Sequence, residues 1–487
     1  MKFLTIILVL LTLNLSWGDN MAKWILIWSD EFNYNGLPDP SKWNFETEGN
    51  AWGWGNGEEQ FYTDSRTQNA IVEDGILKII ALKERMEGKE YTSARINTKG
   101  KGEWLYGRFE AKIKLPSGRG IWPAFWMMPA KNFYGPWPKS GEIDIMEMFG
   151  WYNPYNVYST IHTEKFNHKI GTHKQEFYYD PKIHSEFNIY AVEWFEDRLD
   201  FYFNTNKIFT YRKEASDSSL WPFDKPFYII LNNAVGGDWC RQHGGIGNTV
   251  FPQVLYVDYV RVYKLDDGKP KSIDIKINGK GKVKSNINTN NLKFGEDVVL
   301  TAIPEEGYRF VGWYGDLYSK SETIKFKIYQ NTRILANFVP VDEIIDNGNF
   351  IAGLSEWEYW VDNNYGGADF KLLNDGLEIN IWKKAKYDWQ IQLTTPIELE
   401  KEYKYVLNFK AYSKSGKFIL RAGFNQRKEP WKSYYSKKFE IDKESKEYSL
   451  EFLMQEENDP YCRVEFDLGE HTGKIIIESV SVKKIKI

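Results

Sequence analysis

Three acidic residues lie close together in the run from Gly141 to Phe149, which reads Gly-Glu-Ile-Asp-Ile-Met-Glu-Met-Phe. The acids are Glu142, Asp144 and Glu147, and the isoleucines and methionines around them predict a largely buried strand. A buried carboxylate without a partner costs folding free energy, and this run contains no Lys or Arg to pair with one. The three acids therefore indicate chemistry rather than a stabilising role.

Side chains alternate between the two faces of a strand, so Glu142 and Asp144 are expected to share one face. Glu147 follows Glu142 by five residues and would point to the opposite face of a regular strand. A β-bulge, which is one extra residue near Ile145 and Met146, would return Glu147 to the acidic face, and bulges are frequent beside active sites. We therefore predict that all three carboxyls line one groove.

Carboxyls in this arrangement suit cleavage of a glycosidic bond. One carboxylate acts as the nucleophile and one protonated carboxyl as the acid, and in retaining enzymes the two lie roughly 5 Å apart. Close packing of like charges raises one pKa and keeps another low, which separates the acid from the nucleophile. The alternatives are a metal site and a partly exposed strand edge.

The sequence before the acids predicts the elements that would surround the groove. Residues 106–116 alternate apolar and charged residues, which indicates a half-exposed strand. Residues 120–129 place Trp122 and Trp126 four apart, and an indole offers a sugar ring a flat apolar platform. The alternative for each tryptophan is a core position. Similar short alternating runs elsewhere, without long helical periodicity, predict an all-β sandwich.

The acid run and the tryptophan run together resemble the signature of glycoside hydrolase family 16, and most of all its bacterial laminarinase branch, the endo-β-1,3-glucanases. The six-residue form from Glu142 to Glu147, with the inserted Met146, is typical of that branch. The resemblance extends over about residues 28–263 and includes the segments 28–33, 54–63, 93–98 and 257–263. It implies an enzyme with a jelly-roll β-sandwich and an open cleft.

The resemblance also implies a role for each acid. Glu142 would be the nucleophile, Glu147 the general acid/base, and Asp144 would share a hydrogen bond or a proton with Glu142. The implied reaction is a double displacement with retained configuration. No cofactor would take part in catalysis.

Five further positions match family residues that face the acids or bind glucan. The alternatives are a core histidine for His162 and a solvated loop acid for Glu58, and the loop around Asn56 departs from the family pattern at Gly57 and Glu59. With the two tryptophans, the predicted substrate-binding set is Asn56, Glu58, Arg95, Trp122, Trp126, His162 and Trp239.

Many members of the family bind a calcium ion on the convex side of the sandwich. The matching positions are Glu31 and Gly75 through backbone carbonyls and Asp258 through its carboxylate, and oxygen ligands suit a hard cation. The resemblance therefore implies a structural Ca²⁺ far from the cleft. The alternative for Asp258 is an ordinary acid at a strand end.

The 487 residues divide into several predicted parts. Residues 1–18 combine one positive charge with an apolar stretch, which predicts a secretory signal peptide. The catalytic domain would span 19–265, and a polar linker would follow at 266–272. Residues 273–340 resemble a small bacterial β module related to internalin B-repeats. We expect this module to be a spacer in which Trp313 anchors the core.

Residues 341–487 resemble a family 4/9-like carbohydrate-binding module, which would be a second β-sandwich. The resemblance depends on the segments 346–350, 390–393 and 466–469. Tryptophans beside Gln and Arg would combine stacking and hydrogen bonding in one groove, but a register error of one residue would reverse every face. The candidate ligand contacts are Trp382, Trp389, Gln390, Gln392, Arg421 and Trp431.

Composition limits the remaining function classes. A net charge of −4 at pH 7 and the lack of a basic stripe argue against nucleic acid as a partner. The two cysteines, Cys240 and Cys462, lie far apart and predict neither a disulfide framework nor a metal-ligand spacing. No apolar run after the signal peptide has membrane length, so we expect a secreted, extracellular monomer that is not bound to a membrane.

We therefore predict a secreted, endo-acting, retaining hydrolase of β-1,3-glucosidic bonds in laminarin-type β-glucan. One alternative keeps the same catalytic acids but changes the substrate or the product. It is a mixed-linkage β-1,3-1,4-glucanase, or another family 16 polysaccharide hydrolase or transglycosylase. The other is a non-catalytic glucan-recognition protein on the same scaffold. Such proteins typically lack the acidic pair, whereas Glu142 and Glu147 are both present in this sequence.

Overall fold

The computed structural model describes residues 22–486, and strands make up most of its secondary structure. The one α-helix of this range, α1, is the short segment Asp238–Gln242, and 3-10 turns occur at Glu48–Gly55, His168–Ile170 and Asp388–Gln390. The all-β prediction is confirmed. The predicted signal peptide lies outside the described residues. Within them, no helix has the length and apolar character needed to cross a membrane.

The N-terminal half of the described chain is a β-sandwich. Its strands are β1 (Lys23–Asp30), β2 (Asn44–Phe45), β3 (Gln60–Tyr62), β4 (Ala70–Glu73), β5 (Ile76–Ala81), β6 (Tyr91–Ser93), β7 (Arg95–Asn97), β8 (Glu103–Trp104), β9 (Gly107–Lys114), β10 (Ile121–Pro129), β11 (Glu142–Glu147), β12 (Asn156–His162), β13 (Lys174–Tyr179), β14 (Asn188–Trp194), β15 (Arg198–Phe203), β16 (Asn206–Arg212), β17 (Phe227–Val235) and β18 (Gln253–Asp266).

These strands form two large sheets. One has the order β16-β15-β14-β9-β18-β5-β4, with β1 paired to β18. The other, which we call the acid-bearing sheet, has the order β13-β12-β11-β10-β17-β7-β2, with β8 paired to β17. The short strands β3 and β6 pair with each other in parallel.

The core lies between the two sheets because each sheet has an apolar inner face. Phe109 and Ile113 alternate along β9 with half-buried charged residues and are fully buried. Phe125 and Ile143 come from the acid-bearing sheet and belong to the same apolar cluster. Side chains on the other face of the acid-bearing sheet are therefore free to line a cleft.

A small unit of six strands follows. The strands are β19 (Ile273–Asn278), β20 (Gly281–Ser285), β21 (Glu296–Pro304), β22 (Tyr308–Gly315), β23 (Thr323–Ile328) and β24 (Thr332–Pro340), in two sheets ordered β19-β24-β22 and β20-β21-β23. Trp313 is fully buried in its core, and its indole Nε1 donates to the Ser321 carbonyl oxygen at 2.9 Å. Its predicted role as a core anchor is confirmed.

The C-terminal unit is a second sandwich of two five-stranded sheets. The strands are β25 (Glu358–Val361), β26 (Gly367–Leu373), β27 (Gly376–Lys383), β28 (Ile391–Leu399), β29 (Tyr403–Ser413), β30 (Phe418–Gln426), β31 (Ser433–Ile441), β32 (Lys446–Leu453), β33 (Asp459–Asp467) and β34 (Gly473–Lys486). The sheet orders are β25-β28-β33-β30-β31 and β26-β27-β34-β29-β32, and an apolar cluster fills the space between them. Cys240 and Cys462 are both buried and unpaired.

Candidate active site

Strand β11 contains the irregularity that the spacing of the acids predicts. In the ladder with β10, Phe125 pairs with Met146, and the next residue, Trp126, pairs with Asp144, which leaves Ile145 without a partner. The pairing of β11 with β12 shifts at the same place. The predicted β-bulge is therefore confirmed. After it, each residue of β11 points to the opposite face of the sheet from the one it would occupy in a regular strand.

Because of the bulge, Glu142, Asp144 and Glu147 all line one cavity of about 220 Å³ on the acid-bearing sheet. Asp144 and Glu147 are buried, and Glu142 is half-buried. The prediction that the three carboxyls share one groove is confirmed.

Each glutamate accepts a hydrogen bond from a different tryptophan. Trp137 Nε1 donates to Glu142 Oε2 at 2.6 Å, and Trp122 Nε1 donates to Glu147 Oε1 at 2.9 Å. Thr160 Oγ1 lies 3.5 Å from Glu147 Oε2. An indole is rigid and its N–H is its one donor, so each tryptophan fixes the orientation of its carboxyl group. Trp122 thus orients the acid in addition to any contact with sugar.

His162 faces the acids, as the sequence predicts. It pairs directly with Glu142 across the β11–β12 ladder, and its side chain is buried. His162 Nε2 lies 3.3 Å from Asp144 Oδ2 and 3.8 Å from Glu142 Oε1. The imidazole can therefore contact both carboxyls of the Glu142–Asp144 pair.

Burial raises the pKa of all three acids, because a low-dielectric site disfavours charge. It raises the pKa of Glu147 to about 7. Burial, and then the charge of Asp144, raise the pKa of Glu142, whereas His162 and the hydrogen bond from Trp137 lower it. Burial followed by the charge of Glu147 raises the pKa of Asp144 well above its usual range.

Two contacts distinguish Glu142 from Asp144. Trp137 donates a hydrogen bond to Glu142, which favours the charged form of that carboxyl. Asp144 Oδ2 accepts no hydrogen bond from residues 22–486, although His162 Nε2 lies 3.3 Å from it. A buried carboxyl oxygen without a donor favours the neutral form of Asp144. Glu147, with a pKa raised to about 7, keeps its own proton in mildly acidic solution.

The raised pKa of Glu147 predicts that Glu147→Gln is more stable than the wild type at alkaline pH. The folded-state pKa of about 7 exceeds the usual 4.5, so the native state binds more protons than the unfolded state between these values. The wild type therefore loses stability as pH rises from 4.5 through 7. A glutamine accepts the same Trp122 hydrogen bond without a charge.

We expect the Glu147→Gln variant to gain about 2–3 kcal/mol in the free energy of unfolding at pH 8, and almost nothing at pH 4. Denaturant titrations at the two pH values measure the difference. Glu196→Gln, at an exposed position, is the matched control. An equal gain at both pH values would contradict the assignment of a buried, protonated Glu147.

Arg95 forms one wall of the cavity. Its guanidinium carbon lies 4.3 Å from the ring centroid of Trp54 and 4.7 Å from that of Trp126, so the two indoles enclose it. Arg95 Nε donates to Glu46 Oε2 at 2.6 Å. The ion pair and the two cation–π contacts fix the wall. Trp126 is held further by a hydrogen bond from its Nε1 to Asn232 Oδ1 at 2.8 Å.

Asn56 and Glu58 also line the cavity, as predicted. They follow a tight turn in which Gly53 and Trp54 have φ values of 62° and 58°. Glu58 is not a solvated loop acid, because it is buried and accepts a hydrogen bond from Gln60 Nε2 at 2.6 Å. Burial raises the pKa of Glu58 as well.

Trp239 does not belong to the group of residues that line this cavity. It is the second residue of α1 and belongs to an aromatic cluster, with its ring centroid 4.7 Å from that of Phe149 and 5.3 Å from that of Tyr152. Phe149 in turn lies 5.6 Å from Trp122. Trp239, which is 36% exposed, therefore lies beyond the Glu147 end of the cavity rather than beside the acids.

The cavity also contains residues that the sequence does not predict as site residues. Trp137 is the one closest to the acids, and its position five residues before Glu142 is the signal in the sequence that could have indicated it. Others come from turns and from β17, and of these only Trp54 lies in a segment that matches the family, 54–63. They include Trp52, Trp54, His168, Lys169 and Asn232.

Comparison with known proteins identifies the family. Residues 57–260 match the model of glycosyl hydrolases family 16. The chain is 46% identical over 254 residues to a "Beta-glucanase" of Rhodothermus marinus, a match that covers 51% of this chain and 87% of the relative. The chain belongs to glycosyl hydrolase family 16. It is therefore a glycoside hydrolase.

This family 16 enzyme is also similar to other known proteins. It is 41% identical over 235 residues to a "Glucan endo-1,3-beta-glucosidase" of Cryptopygus antarcticus, a match that covers 45% of this chain and 83% of the relative. The solved laminarinase of Rhodothermus marinus is 46% identical, with a TM-score of 0.49, and the match covers 51% of this chain and 100% of that one. Residues 272–342 match a divergent InlB B-repeat domain and residues 342–473 a carbohydrate binding domain.

The C-terminal module of the family 16 enzyme has its own cavity, of about 880 Å³. Four of the six predicted ligand contacts line it: Trp389, Gln392, Arg421 and Trp431. Trp360, which the sequence does not predict, stacks almost parallel to Trp389 with a centroid distance of 6.1 Å. Both rings are nearly half exposed. The cavity therefore presents aromatic platforms beside polar groups, as sugar binding requires.

Gln390 and Trp382 do not reach this cavity, which corrects that part of the prediction. Gln390 ends a 3-10 turn, so it does not share a face with Gln392 on β28; its Oε1 accepts from the Tyr387 backbone N–H at 2.9 Å. Trp382 lies on β27, in the other sheet of the module, and is 60% exposed. The sequence motif gives neither the 3-10 turn nor the sheet assignment.

The predicted calcium ligands fit an ion poorly. Asp258 supplies the single side-chain carboxylate of the set, and its Oδ2 lies 2.6 Å from Lys112 Nζ. The carboxylate of Glu31 pairs with Arg261 at 2.8 Å, although the prediction uses the backbone carbonyl of Glu31 and that of Gly75. An ammonium at Asp258 must move away before a cation can bind there.

Proposed function

We propose that this family 16 enzyme is an endo-acting hydrolase that cleaves β-1,3-glucosidic bonds in laminarin-type β-glucan with retention of configuration. The observation that carries this proposal is the β11 bulge, which brings Glu142 and Glu147 into one cavity, each held by its own tryptophan. The names of the two relatives, a β-glucanase and a glucan endo-1,3-β-glucosidase, support the substrate class.

In the first step, the Glu142 carboxylate attacks the anomeric carbon while the bond to the departing glucan oxygen breaks. Glu147 transfers its proton to that oxygen, and a glycosyl ester of Glu142 forms. The Trp137 hydrogen bond keeps Glu142 charged and oriented before attack. In this mechanism Asp144 is neutral, which avoids a second negative charge beside the nucleophile.

In the second step, the Glu147 carboxylate takes a proton from water, and the water oxygen attacks the anomeric carbon. Glu142 leaves as a carboxylate, and Glu147 regains its proton. Two displacements at one carbon restore the original configuration. His162, which faces both Glu142 and Asp144, holds the pair in place through this charge change.

The product profile on laminarin, curdlan, lichenan, agarose and xyloglucan tests this proposal. We expect a mixture of oligosaccharides from laminarin at the earliest times, which is the pattern of endo action, and no products from agarose or xyloglucan. Preference for lichenan over laminarin would favour the mixed-linkage alternative. Binding to all glucans without release of reducing ends would favour a glucan-recognition protein.

The cavity of the C-terminal module predicts a specific loss of glucan binding in the Trp389→Ala variant. Truncation of this ring removes a stacking platform, and we expect affinity for insoluble curdlan to fall about tenfold. Trp382→Ala is the matched control, because it removes an exposed tryptophan from the opposite sheet of the same module. Depletion assays on curdlan measure both. Equal losses in the two variants would count against the assigned cavity.

A structural calcium ion at Glu31, Gly75 and Asp258 stays a prediction of the family resemblance, and the Asp258–Lys112 ion pair opposes it. Thermal unfolding with added CaCl₂ and with EDTA tests for this ion. A rise in Tm with calcium that disappears in Asp258→Asn supports the site. The same Tm in CaCl₂ and in EDTA would show that no calcium ion stabilises the enzyme. Catalysis itself requires no cofactor.

We also propose that residues 1–18 direct export and that the mature enzyme is an extracellular monomer. The support is the apolar run behind a single positive charge near the N-terminus, and a polysaccharide substrate too large to enter a cell. The N-terminal sequence of enzyme recovered from the culture medium should begin at Asp19. Sedimentation of the same material measures its oligomeric state.

A further inference from the structure

The segment that carries Trp137 connects β10 to β11, and we call residues 131–141 the Trp137 loop. The catalytic domain anchors it through Tyr134. The Tyr134 hydroxyl lies 2.8 and 2.9 Å from the two carboxylate oxygens of Asp224. A second hydrogen bond lies within the loop, where Ser140 Oγ donates to the Gly135 carbonyl oxygen at 2.7 Å.

The C-terminal module holds the same loop from the other side. The backbone N–H of Leu354 donates to the Phe133 carbonyl oxygen at 2.8 Å. Lys139 Nζ donates to the Phe370 carbonyl oxygen at 3.0 Å and lies 5.3 Å from the centroid of the Tyr359 ring. The module therefore contacts the loop both before and after Trp137.

The contact is closely packed. At Gly353, which has a φ of +63°, a Cβ atom would lie 2.4 Å from the Phe133 carbonyl oxygen. At Gly135 a Cβ atom would lie 3.0 Å from the Tyr359 hydroxyl oxygen. A side chain at either glycine would thus push the module and the loop apart. Lys131 adds an ion pair with Glu356 at 3.7 Å.

Trp137 lies between these anchors and donates its indole N–H to Glu142 Oε2 at 2.6 Å. Phe133 is four residues before it and Lys139 two residues after it. Fixing both flanks limits how far the indole can move, and a hydrogen bond to a charged group depends strongly on distance and angle. The position of the module therefore affects the environment of Glu142.

We propose that the C-terminal module is a positioning element of the active site as well as a binding module: Gly353, Leu354 and Phe370 hold the Trp137 loop so that the indole N–H stays on Glu142. The inference rests on the proposed role of Glu142 as nucleophile. When the contact is lost, Trp137 stops favouring the charged form of Glu142, whose pKa then rises. The variant needs a higher pH to ionise its nucleophile, so it loses activity first at acidic pH.

The Gly353→Ala variant of the full chain tests this inference with laminarihexaose, a short soluble substrate. We expect kcat to fall at least about fivefold, as for the loss of a hydrogen bond to a charged group. The effect falls on kcat more than on KM, and the acidic limb of the pH profile moves to higher pH. The matched control is Gly416→Ala, in the same module at a φ of +97° with no atom within 4 Å of a Cβ atom, and it should match the wild type.

A second variant approaches the contact from the catalytic side and leaves the module intact. Lys139→Met removes the bond to the Phe370 carbonyl oxygen, and it also removes an ion pair with Glu164 at 3.3 Å. Glu164→Gln removes that ion pair alone and serves as its control. Curdlan binding shows in each variant that the module is folded. We expect Lys139→Met, and not Glu164→Gln, to repeat the shift of the acidic limb.

A double-mutant cycle with Trp137→Phe tests whether Gly353→Ala lowers kcat through the hydrogen bond from Trp137 to Glu142. Trp137→Phe keeps an aromatic ring at this position and removes the N–H, so it should move the acidic limb by itself, and Gly353→Ala should then add nothing. The inference is wrong if Gly353→Ala and Lys139→Met both have the kcat and the pH profile of the wild type. It is also wrong if the losses of kcat caused by Gly353→Ala and Trp137→Phe add in full in the double variant. Neither outcome bears on Glu142 as nucleophile, which azide rescue of Glu142→Ala tests separately.

Discussion

Glu142→Ala is expected to lose hydrolysis of laminarin by about 10⁴-fold or more, because it removes the carboxylate that forms the glycosyl ester. The variant should still bind glucan, since the aromatic walls of the cavity and the C-terminal module are unchanged. Sodium azide should restore turnover of an activated aryl β-laminaribioside. Azide fits the space left by the carboxylate and attacks from the same face, so the product is the α-glycosyl azide.

The stereochemistry of the azide product is the control within this experiment. An azide that enters where Glu142 stood gives the α product by one displacement, and an azide that replaces water beside Glu147 gives the β product by two. NMR of the isolated glycosyl azide distinguishes them. No rescue, or a β product from Glu142→Ala, would remove Glu142 as the nucleophile.

Glu147→Ala is the variant with the second largest expected effect. Loss of a general acid costs about 10²–10⁴-fold on laminarin, whose leaving group must be protonated. The first step on an aryl glucoside with a good leaving group should be nearly unaffected. Azide should then yield the β-glycosyl azide, because Glu142 still forms the ester.

The same variant should lose the alkaline limb of the pH profile. Glu147 acts as an acid only when protonated, and burial raises its pKa to about 7, so wild-type kcat is expected to fall as pH rises through that value. Trp122 donates to Glu147 and favours its charged form. Trp122→Phe should therefore move the alkaline limb to higher pH. An alkaline limb that persists in Glu147→Ala would assign it to another group.

Much of the catalytic site follows from local sequence. The spacing of Glu142, Asp144 and Glu147 within an apolar run permits all three to face a groove only if the strand contains one extra residue, and the structure has that residue at Ile145. The buried alternation around them forces the all-β sandwich. The prediction of His162 comes from the family resemblance, and the structure places it directly opposite Glu142 on the neighbouring strand.

The contacts that the sequence does not reveal join distant segments. Arg95 and Trp126 are both predicted site residues, but no spacing in the sequence indicates that Trp54 and Trp126 enclose Arg95. Trp137 binds Glu142 because its loop folds back, and the module that holds the loop lies more than 200 residues further along the chain.

The errors in the C-terminal module have an equally physical cause. The alternation rule applied to Gln390 and Gln392 assumes one continuous strand, but a 3-10 turn ends at Gln390 and breaks the pattern. Trp382 is a tryptophan and could stack on a sugar, but it lies on β27, in the sheet that does not line the cavity. Sheet assignment depends on long-range pairing, which a single short motif does not contain.

We propose that Glu142 and Glu147 act across one scissile bond as nucleophile and acid/base. Proton NMR of laminarin hydrolysis in its first minutes is the direct test of these roles, because it records the anomeric configuration of the new reducing end before mutarotation. We expect the β anomer to appear first and then to equilibrate. Initial appearance of the α anomer would mean a single displacement by water, and the proposed roles of both glutamates would be wrong.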